Sequence, residues 1–116
     1  MGDKNQDLLP GTLDLLILKS LQHGHMHGYG IAQHLKTTSD DVLQIGESSL
    51  YPALQRLLLN GWVAAEWGTS ENNRRAKFYR LTGKGRRQLA VETSKWHKLA
   101  GAIARILRPT GQADQA

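Results

Sequence analysis

A long amphipathic segment near the C-terminal end constrains the fold of this chain more than any other feature. Residues 83–107 predict one helix of about 25 residues, roughly 37 Å long at 1.5 Å per residue. Its apolar side chains follow two heptad rows, one of Leu89, Trp96 and Ile103 and the other of Leu99 and Ile106. A chain of 116 residues has room for one domain, so this stripe lacks a second domain to pack on. We expect it to pair with the same helix of a second copy, with these five residues at the dimer interface. The alternative is that the helix folds back onto its own chain.

Two shorter helices are predicted at the start of the chain. The first runs through TLDLLILKSLQH, with Thr12 as its N-cap and Leu13, Leu16, Ile17 and Leu21 on one face. The glycine-bearing stretch HGHMHG separates it from the second helix, YGIAQHLKTTS, which the turn-prone sequence SDD ends. The following VLQI, residues 42–45, predicts a short strand rather than a helix, because it is only four residues long.

A third helix and a β-hairpin are predicted next. Ser48 or Ser49 offers an N-cap, leucines follow at helical spacing, and Asn60-Gly61 is a stop signal. Pro52 then lies in about the first turn, where its missing N–H costs little. WVAAEW and AKFYRL predict two strands, and GTSENNRR between them suits a hairpin tip. Thr82 is the predicted N-cap of the long last helix.

This order of elements is that of a winged helix, a mainly α fold with a small β-hairpin. A winged helix places its third helix in the DNA major groove and its hairpin, the wing, on the phosphates beside it. We expect an N-terminal extension over residues 1–11, a winged helix-turn-helix domain over 12–82, the dimerisation helix over 83–108 and a disordered tail over 109–116.

The positive charge is concentrated where the wing is predicted. The net charge is +5, yet residues 68–87 contain seven Lys and Arg and a single acid, Glu71. Such clustering points to a polyanion partner, because neutralising phosphates releases their counterions. A solvated charged loop is the alternative.

Other classes of protein find little support in the sequence. The absence of cysteine excludes disulfide scaffolds, thiolate metal sites and cysteine nucleophiles. No apolar run reaches the roughly 18 residues of a membrane span, and MGDKNQDLLPG lacks the apolar core of a signal peptide, so we expect a soluble cytoplasmic protein. Catalytic strings such as G-x-S-x-G and H-E-x-x-H are missing, so neither an enzyme nor a cofactor is predicted. The triplet His23, His25 and His27 straddles a glycine turn without a nearby carboxylate or thiolate, which favours a turn over a metal site.

Four strings of the sequence carry a family resemblance. GTLDLLILKSL, MHGYGIAQHL, SSLYPALQRLLLNGW and RRAKFYRLTGKGRRQL, in this order, resemble the PadR family of bacterial transcriptional regulators. The most specific is SLYPALQRL followed by NGW, and the single C-terminal helix is similar to the small subfamily that dimerises through it. The resemblance implies a homodimeric repressor that binds a pseudo-palindromic double-stranded DNA operator and is released by a small molecule. Some members respond to phenolic acids and others to planar cationic drugs.

Candidate DNA-binding residues lie on the third helix and the wing. Ser48, Ser49 and Tyr51 are at the leading end of the helix, where backbone N–H groups and the helix dipole favour phosphate or base contact. Ser49 could instead only cap the helix, and Tyr51 could be half-buried. Further candidates are Gln55 and Arg56 one turn along the helix, and Asn73, Arg74, Arg75 and Lys77 at the wing tip.

The sequence allows more than one role for Arg56, Tyr29 and Trp96. Arg56 could form an intramolecular ion pair instead of contacting DNA. Tyr29 could bind a phosphate or pack in the core. Trp96 is predicted at the dimer interface, and if the two helices splay apart, a pair of tryptophans could hold a planar aromatic effector. At the level of function, an RNA-binding or protein-docking winged helix is the competing hypothesis.

Overall fold

The computed structural model describes residues 11–110, so the predicted N-terminal extension lies outside it except for Gly11, and the tail except for Pro109 and Thr110. Within this range a 3₁₀ turn, Leu21–His23, follows the first of four helices. The helices and strands, in chain order, are α1 (Thr12–Ser20), β1 (Met26–His27), α2 (Gly28–Thr38), α3 (Glu47–Leu59), β2 (Val63–Thr69), β3 (Arg75–Leu81) and α4 (Gly83–Leu107).

One hydrophobic core joins these elements. Helices α1, α2 and α3 pack against one another, and one face of the sheet and the start of α4 complete the core. Its most deeply buried side chains are Ile17 and Leu18 of α1, Ile31 of α2, and Leu50, Leu54 and Leu57 of α3. Of the predicted face of the first helix, Ile17 and Leu21 are buried while Leu13 and Leu16 are only partly buried, and Leu18, outside that face, is fully buried.

The sheet has three antiparallel strands in the order β1-β3-β2. Strand β1 pairs Met26 with Tyr79 and His27 with Phe78. The strand predicted at residues 42–45 is wrong: these residues belong to no strand, and the short strand lies between α1 and α2 instead. Because β1 and β2 already occupy both edges of β3, residues 42–45 find no open edge of β3 to pair with. They form an irregular connection in which only Ile45 is buried.

Two predicted helix starts are also corrected. Helix α1 is preceded by Gly11, whose φ of 85° is in the left-handed region that favours glycine, so Thr12 is the first helical residue and not the N-cap. Helix α3 is preceded by Gly46, so Ser48 and Ser49 lie inside its first turn. An acidic residue, Glu47, occupies the first helical position, where the helix dipole favours a negative charge.

Pro52 and the end of α3 show how local sequence defines this helix. Pro52 is the sixth residue of α3 and therefore lies beyond the first turn where we expected it, at the cost of one helical hydrogen bond. The predicted stop is confirmed. Gly61 has φ 74°, its N–H donates to the carbonyl of Leu58, and the N–H of Trp62 donates to the carbonyl of Leu57, both at 3.0 Å. These bonds form a Schellman motif, which satisfies the last carbonyls of the helix.

A tight joint connects the end of α3, the base of the wing and the start of α4. The hydroxyl oxygen of Thr82 accepts a hydrogen bond from the N–H of Gly85 at 3.0 Å, which confirms Thr82 as the N-cap of α4. The same oxygen lies 2.8 Å from the carbonyl oxygen of Gly61 and 3.0 Å from that of Trp62. Gly85 is buried so close to Trp62 that a Cβ there would collide with the carbonyl oxygen of Trp62. The joint therefore sets the direction in which α4 leaves the domain.

Helix α4 is buried against its own chain only near its start. Gly85 and Leu89 are its buried residues, and Leu89, 6 % exposed, belongs to the core of its own chain. The heptad row therefore begins in the chain's own core and leaves it further along, and a contact of Leu89 with a second copy stays a prediction. In residues 11–110 no helix combines the length and the apolarity that crossing a bilayer requires.

Candidate nucleic-acid interface

The exposed side of α3 carries three of the predicted DNA-binding residues. Ser48, Tyr51 and Gln55 follow the spacing of three and four residues that places side chains on one helix face, and all three are exposed. Leu50 and Leu54 point the other way, into the core. Ser49 is half-buried at a different angle around the helix. Helix α3 thus presents one polar face of the kind that could enter a DNA groove.

Tyr51 is held in place by α2. A Cβ built on Gly28 would lie 2.6 Å from the hydroxyl oxygen of Tyr51 and 2.9 Å from two of its ring carbons, so the ring rests against the glycine. The neighbouring Tyr29 is 68 % exposed, which excludes its alternative role in the core. Burial, followed by the nearby Tyr51, raises the pKa of the Tyr79 hydroxyl behind them, so Tyr79 stays neutral beside this surface.

The wing tip is a defined turn. The N–H of Ser70 donates to the carbonyl of Arg74 at 2.8 Å, and the N–H of Asn73 donates to the carbonyl of Ser70 at 2.9 Å. Asn73 has φ 59°, in the left-handed region that asparagine tolerates better than most residues. The turn therefore gives Asn73 a structural role, and it leaves Arg74 and Arg75 exposed at the start of β3.

A single cleft brings part of the predicted site together. It lies between the wing, the start of α2 and α3, and its volume is about 1040 Å³. Tyr29, Tyr51, Arg74, Arg75 and Lys77 all line it. The wing supplies the cationic residues of this cleft, and the two tyrosines come from α2 and α3. The other α3 candidates, Ser48, Ser49, Gln55 and Arg56, lie outside this lining.

Arg56 takes the alternative role that the sequence left open. Its guanidinium binds the carboxylate of Asp14 on α1 through two hydrogen bonds, Nη2 to Oδ1 at 2.7 Å and Nε to Oδ2 at 3.3 Å. The hydrogen bond with Asp14 raises the pKa of Arg56 from its usual value, while partial burial opposes the shift. Arg56 therefore ties α3 to α1 in the free protein, and its contact with DNA stays a prediction.

This ion pair gives a first prediction. Arg56→Ala will lower the free energy of unfolding by at most about 1 kcal/mol, because the pair is partly solvated and screened. In the Asp14→Ala background the same substitution will cost less, since the partner is already absent. Urea unfolding of the four proteins in a double-mutant cycle measures the coupling. Equal costs in both backgrounds would show that the two side chains do not interact in solution.

A second contact, which the sequence did not reveal, connects the wing with α2. His27 is the N-cap of α2: its Nδ1 accepts a hydrogen bond from the N–H of Gly30 at 3.0 Å, so this nitrogen carries no proton. Its Nε2 lies 3.5 Å from Oε1 of Glu71 at the wing tip. A backbone hydrogen bond of Glu71 itself, and then the contact with His27, hold the pKa of the Glu71 carboxyl below its usual value.

The structure gives His27 this capping role and brings no metal-ligand cluster around it. Among residues 11–110 no group of three or more His, Cys, Asp or Glu side chains is placed to hold a metal ion. Glu71 stands out in the sequence as the one acid of the basic stretch. Its contact with His27 could not be predicted, because the two residues are 44 positions apart and only the fold brings them together.

The far part of α4 presents an apolar stripe to solvent. Trp96, Leu99 and Ile103 are 42, 46 and 41 % exposed, and Ile106 is 80 % exposed. A groove of about 930 Å³ lies between α1 and the first half of α4. Trp96 is the member of this stripe that lines it, opposite Leu15 and Leu16 of α1. Four large apolar side chains on one exposed helix form a patch of the kind that monomeric proteins rarely leave open.

The family of the protein follows from a comparison of its sequence with known families. The model of the transcriptional regulator PadR-like family matches residues 17–91, most of the winged domain and the start of α4. The chain belongs to the PadR-like family. Members of this family are transcriptional regulators and not enzymes, which confirms both the resemblance seen in the sequence and the winged-helix class of this PadR-like regulator.

Two solved structures share its fold over most of their length, and a further protein is similar in sequence. A transcriptional regulator from Clostridium thermocellum is 28 % identical, with a TM-score of 0.80 over 89 % of this chain and 100 % of that chain. A PadR family transcriptional regulator from Eggerthella lenta is 31 % identical, with a TM-score of 0.70 over 86 and 85 % of the two chains. A protein of Lysinibacillus sphaericus described as uncharacterized protein X is 30 % identical over 97 residues, 84 % of this chain and 89 % of that protein.

Proposed function

We propose that this PadR-like regulator is a homodimeric repressor that binds a pseudo-palindromic DNA operator and leaves it when a small ligand binds. The observation that carries the DNA-binding part is the cleft in which the basic wing residues face Tyr29 and Tyr51. The repressor role and the release by a ligand rest on the family resemblance. A regulator that acts on a bacterial chromosome works in the cytoplasm, and we place it there.

The exposed side chains of α3 and those of the wing are suited to different contacts with DNA. Ser48, Tyr51 and Gln55 on the outer face of α3 are suited to the edges of bases and to nearby phosphates in the major groove. Arg74, Arg75 and Lys77 on the wing supply the charge that binds the sugar-phosphate backbone. The α3 side chains would then set the sequence preference, while the wing sets affinity and register.

The wing gives the second prediction. Arg74→Ala/Lys77→Ala will reduce the slope of log K against log salt concentration by about 3.6 for a bound dimer, because the variant removes two cations from each copy and each phosphate contact contributes about 0.9. The measurement is fluorescence anisotropy with a labelled 30-base-pair duplex of fixed sequence across a salt series. Lys95→Ala/Lys98→Ala is the matched control, since it removes two cations from α4, remote from the wing.

One outcome would contradict the proposed wing contacts, and another would contradict DNA as the target. Equal changes of slope in the wing and α4 variants would mean that the charge acts as a diffuse field rather than through wing contacts. Tighter binding of a structured RNA than of the duplex at the same salt would favour the RNA-binding winged helix instead.

The dimer proposal uses the part of α4 that its own core does not cover. Trp96, Leu99, Ile103 and Ile106 would meet the same helix of a second copy, and the groove beside α1 would receive part of it. Leu89 lies mainly in the core of its own chain, but it also lines this groove, so it would offer the second copy a small contact area. The α3 helices of the two copies, about 34 Å apart, would then reach half-sites that are one helical turn of DNA apart. Selection of bound sequences from a random duplex library should therefore yield an inverted repeat.

The proposed effector site centres on Trp96. This side chain is half-exposed and lines the groove between α1 and α4, so two copies could form facing aromatic walls where the paired helices separate. A planar aromatic ligand would fit between such walls.

Trp96 gives the third prediction. A planar cationic dye titrated into the wild-type protein should quench the tryptophan fluorescence saturably, and Trp96→Ala should remove most of that saturable change. Trp62 and Trp67 remain in the variant and report any quenching that occurs elsewhere. The same quenching curve in both proteins would place the dye at another tryptophan.

A further inference from the structure

One exposed aromatic residue of the wing is explained neither by the core nor by the proposed contacts. Trp67 on β2 is 57 % exposed, although a hairpin tip needs no large apolar side chain. The guanidinium carbon of Arg75 lies 4.7 Å from the centroid of its ring. Such a distance is typical of a cation–π contact, in which the planar guanidinium lies on the indole.

The strand register places this pair on the face that continues the core. Trp67 is opposite Lys77 and Thr69 is opposite Arg75, so Trp67 and Arg75 are diagonal neighbours across the hairpin. Side chains alternate along a strand, which puts Trp67 on the same side of β2 as Val63, whose partner across the hairpin is the buried Leu81. Toward the tip the core ends, and this face borders the cleft that Tyr51 of α3 also lines.

Stacking on Trp67 restricts the orientations of the Arg75 guanidinium. A free arginine side chain samples many rotamers, and part of this freedom is lost when it binds a fixed anion. An indole against one face of the group restricts these rotamers in advance and leaves the N–H edge available for a phosphate. Lys77, the direct neighbour of Trp67, has a flexible ammonium that lacks this planar preorganisation.

We propose that Trp67 is a positioning residue for DNA binding: its indole holds the guanidinium of Arg75 toward the cleft, in the orientation that binds a backbone phosphate. This proposal rests on the DNA-binding function proposed above. It adds a residue that the basic charge pattern alone does not single out, because tryptophan carries no charge. It also separates Arg75 from Arg74 and Lys77, which it leaves to act as mobile cations.

The test compares Trp67→Leu, Trp67→Phe, Arg75→Ala and the double variant Trp67→Leu/Arg75→Ala. Binding to the labelled 30-base-pair duplex should weaken about two- to five-fold for each copy bound in Trp67→Leu, the range expected for an exposed cation–π contact, and by less in Trp67→Phe, which keeps an aromatic face. In the Arg75→Ala background Trp67→Leu should have no further effect. An equal loss in both backgrounds would mean that Trp67 contacts DNA itself, and it would overturn the proposal.

A measurement without DNA tests the stack directly. The side-chain NMR signals of Arg75 in the free protein should be shifted upfield by the indole ring and should return to ordinary positions in Trp67→Leu. Unshifted signals in the wild type would overturn the proposal even if the variant bound DNA weakly. If the wild type fails to bind duplex DNA, the proposed function is wrong; if it binds and Trp67→Leu binds equally well, only this inference is wrong.

Discussion

Ile103→Glu will convert the regulator into a monomer and weaken its binding to duplex DNA by about 100-fold or more. The side chain of Ile103 lies in the middle of the exposed stripe of α4, between Leu99 and Ile106. A carboxylate buried there without a partner would lose its hydration, and the two copies would place two such charges close together. A monomer also loses the gain in affinity from two linked DNA-binding units, which reaches 10²–10⁴.

Sedimentation velocity over a range of protein concentrations measures the first effect, and duplex binding measures the second. Ala104→Glu is the matched control, because it adds the same charge at the next exposed residue, about 100° further around the helix. It should remain dimeric. A wild-type protein that sediments as a monomer at every concentration would refute the dimer proposal and leave the winged domain as the DNA-binding unit by itself.

Gly85→Ala will destabilise the fold by about 1–3 kcal/mol or more, the cost of forcing an extra carbon into a packed site. A Cβ at this position would meet the backbone of Trp62, with the carbonyl carbon only 2.9 Å away, and a backbone group cannot swing aside as a flexible side chain can. The side chain of Leu81 lies at 3.0 Å on another side. Relief would require α4 to move away from the base of the wing.

Urea unfolding at one fixed protein concentration measures this effect, because the stability of a dimer depends on concentration. Gly83→Ala is the control on the same helix turn: a Cβ there has only the end of the Arg87 side chain nearby, at 3.9 Å, and alanine favours a helix over glycine. This variant should keep or slightly raise the unfolding midpoint. Equal unfolding midpoints for the two variants would show that the structure accommodates a Cβ at Gly85 without losing stability.

The sequence by itself determined the elements whose boundaries depend on neighbouring residues. The stop of α3 at Asn60-Gly61, the cap at Thr82 and the whole extent of α4 could be predicted, because capping, left-handed glycine and apolar period act within a few residues. The hairpin followed from two β-rich runs around a glycine- and asparagine-bearing loop. The basic wing was visible for the same reason, since its charges are contiguous in the chain.

The tertiary structure alone decided the features that join distant residues. A two-residue strand has no periodicity to detect, and β1 exists only because β3 offers it an edge. The ion pair of Arg56 with Asp14 spans 42 residues, so residue type could not choose between it and a DNA contact. A heptad row likewise looks the same whether it faces the chain's own core or a partner. Leu89 lies in that core while Trp96 does not, because α4 is longer than the domain that supports its first turns.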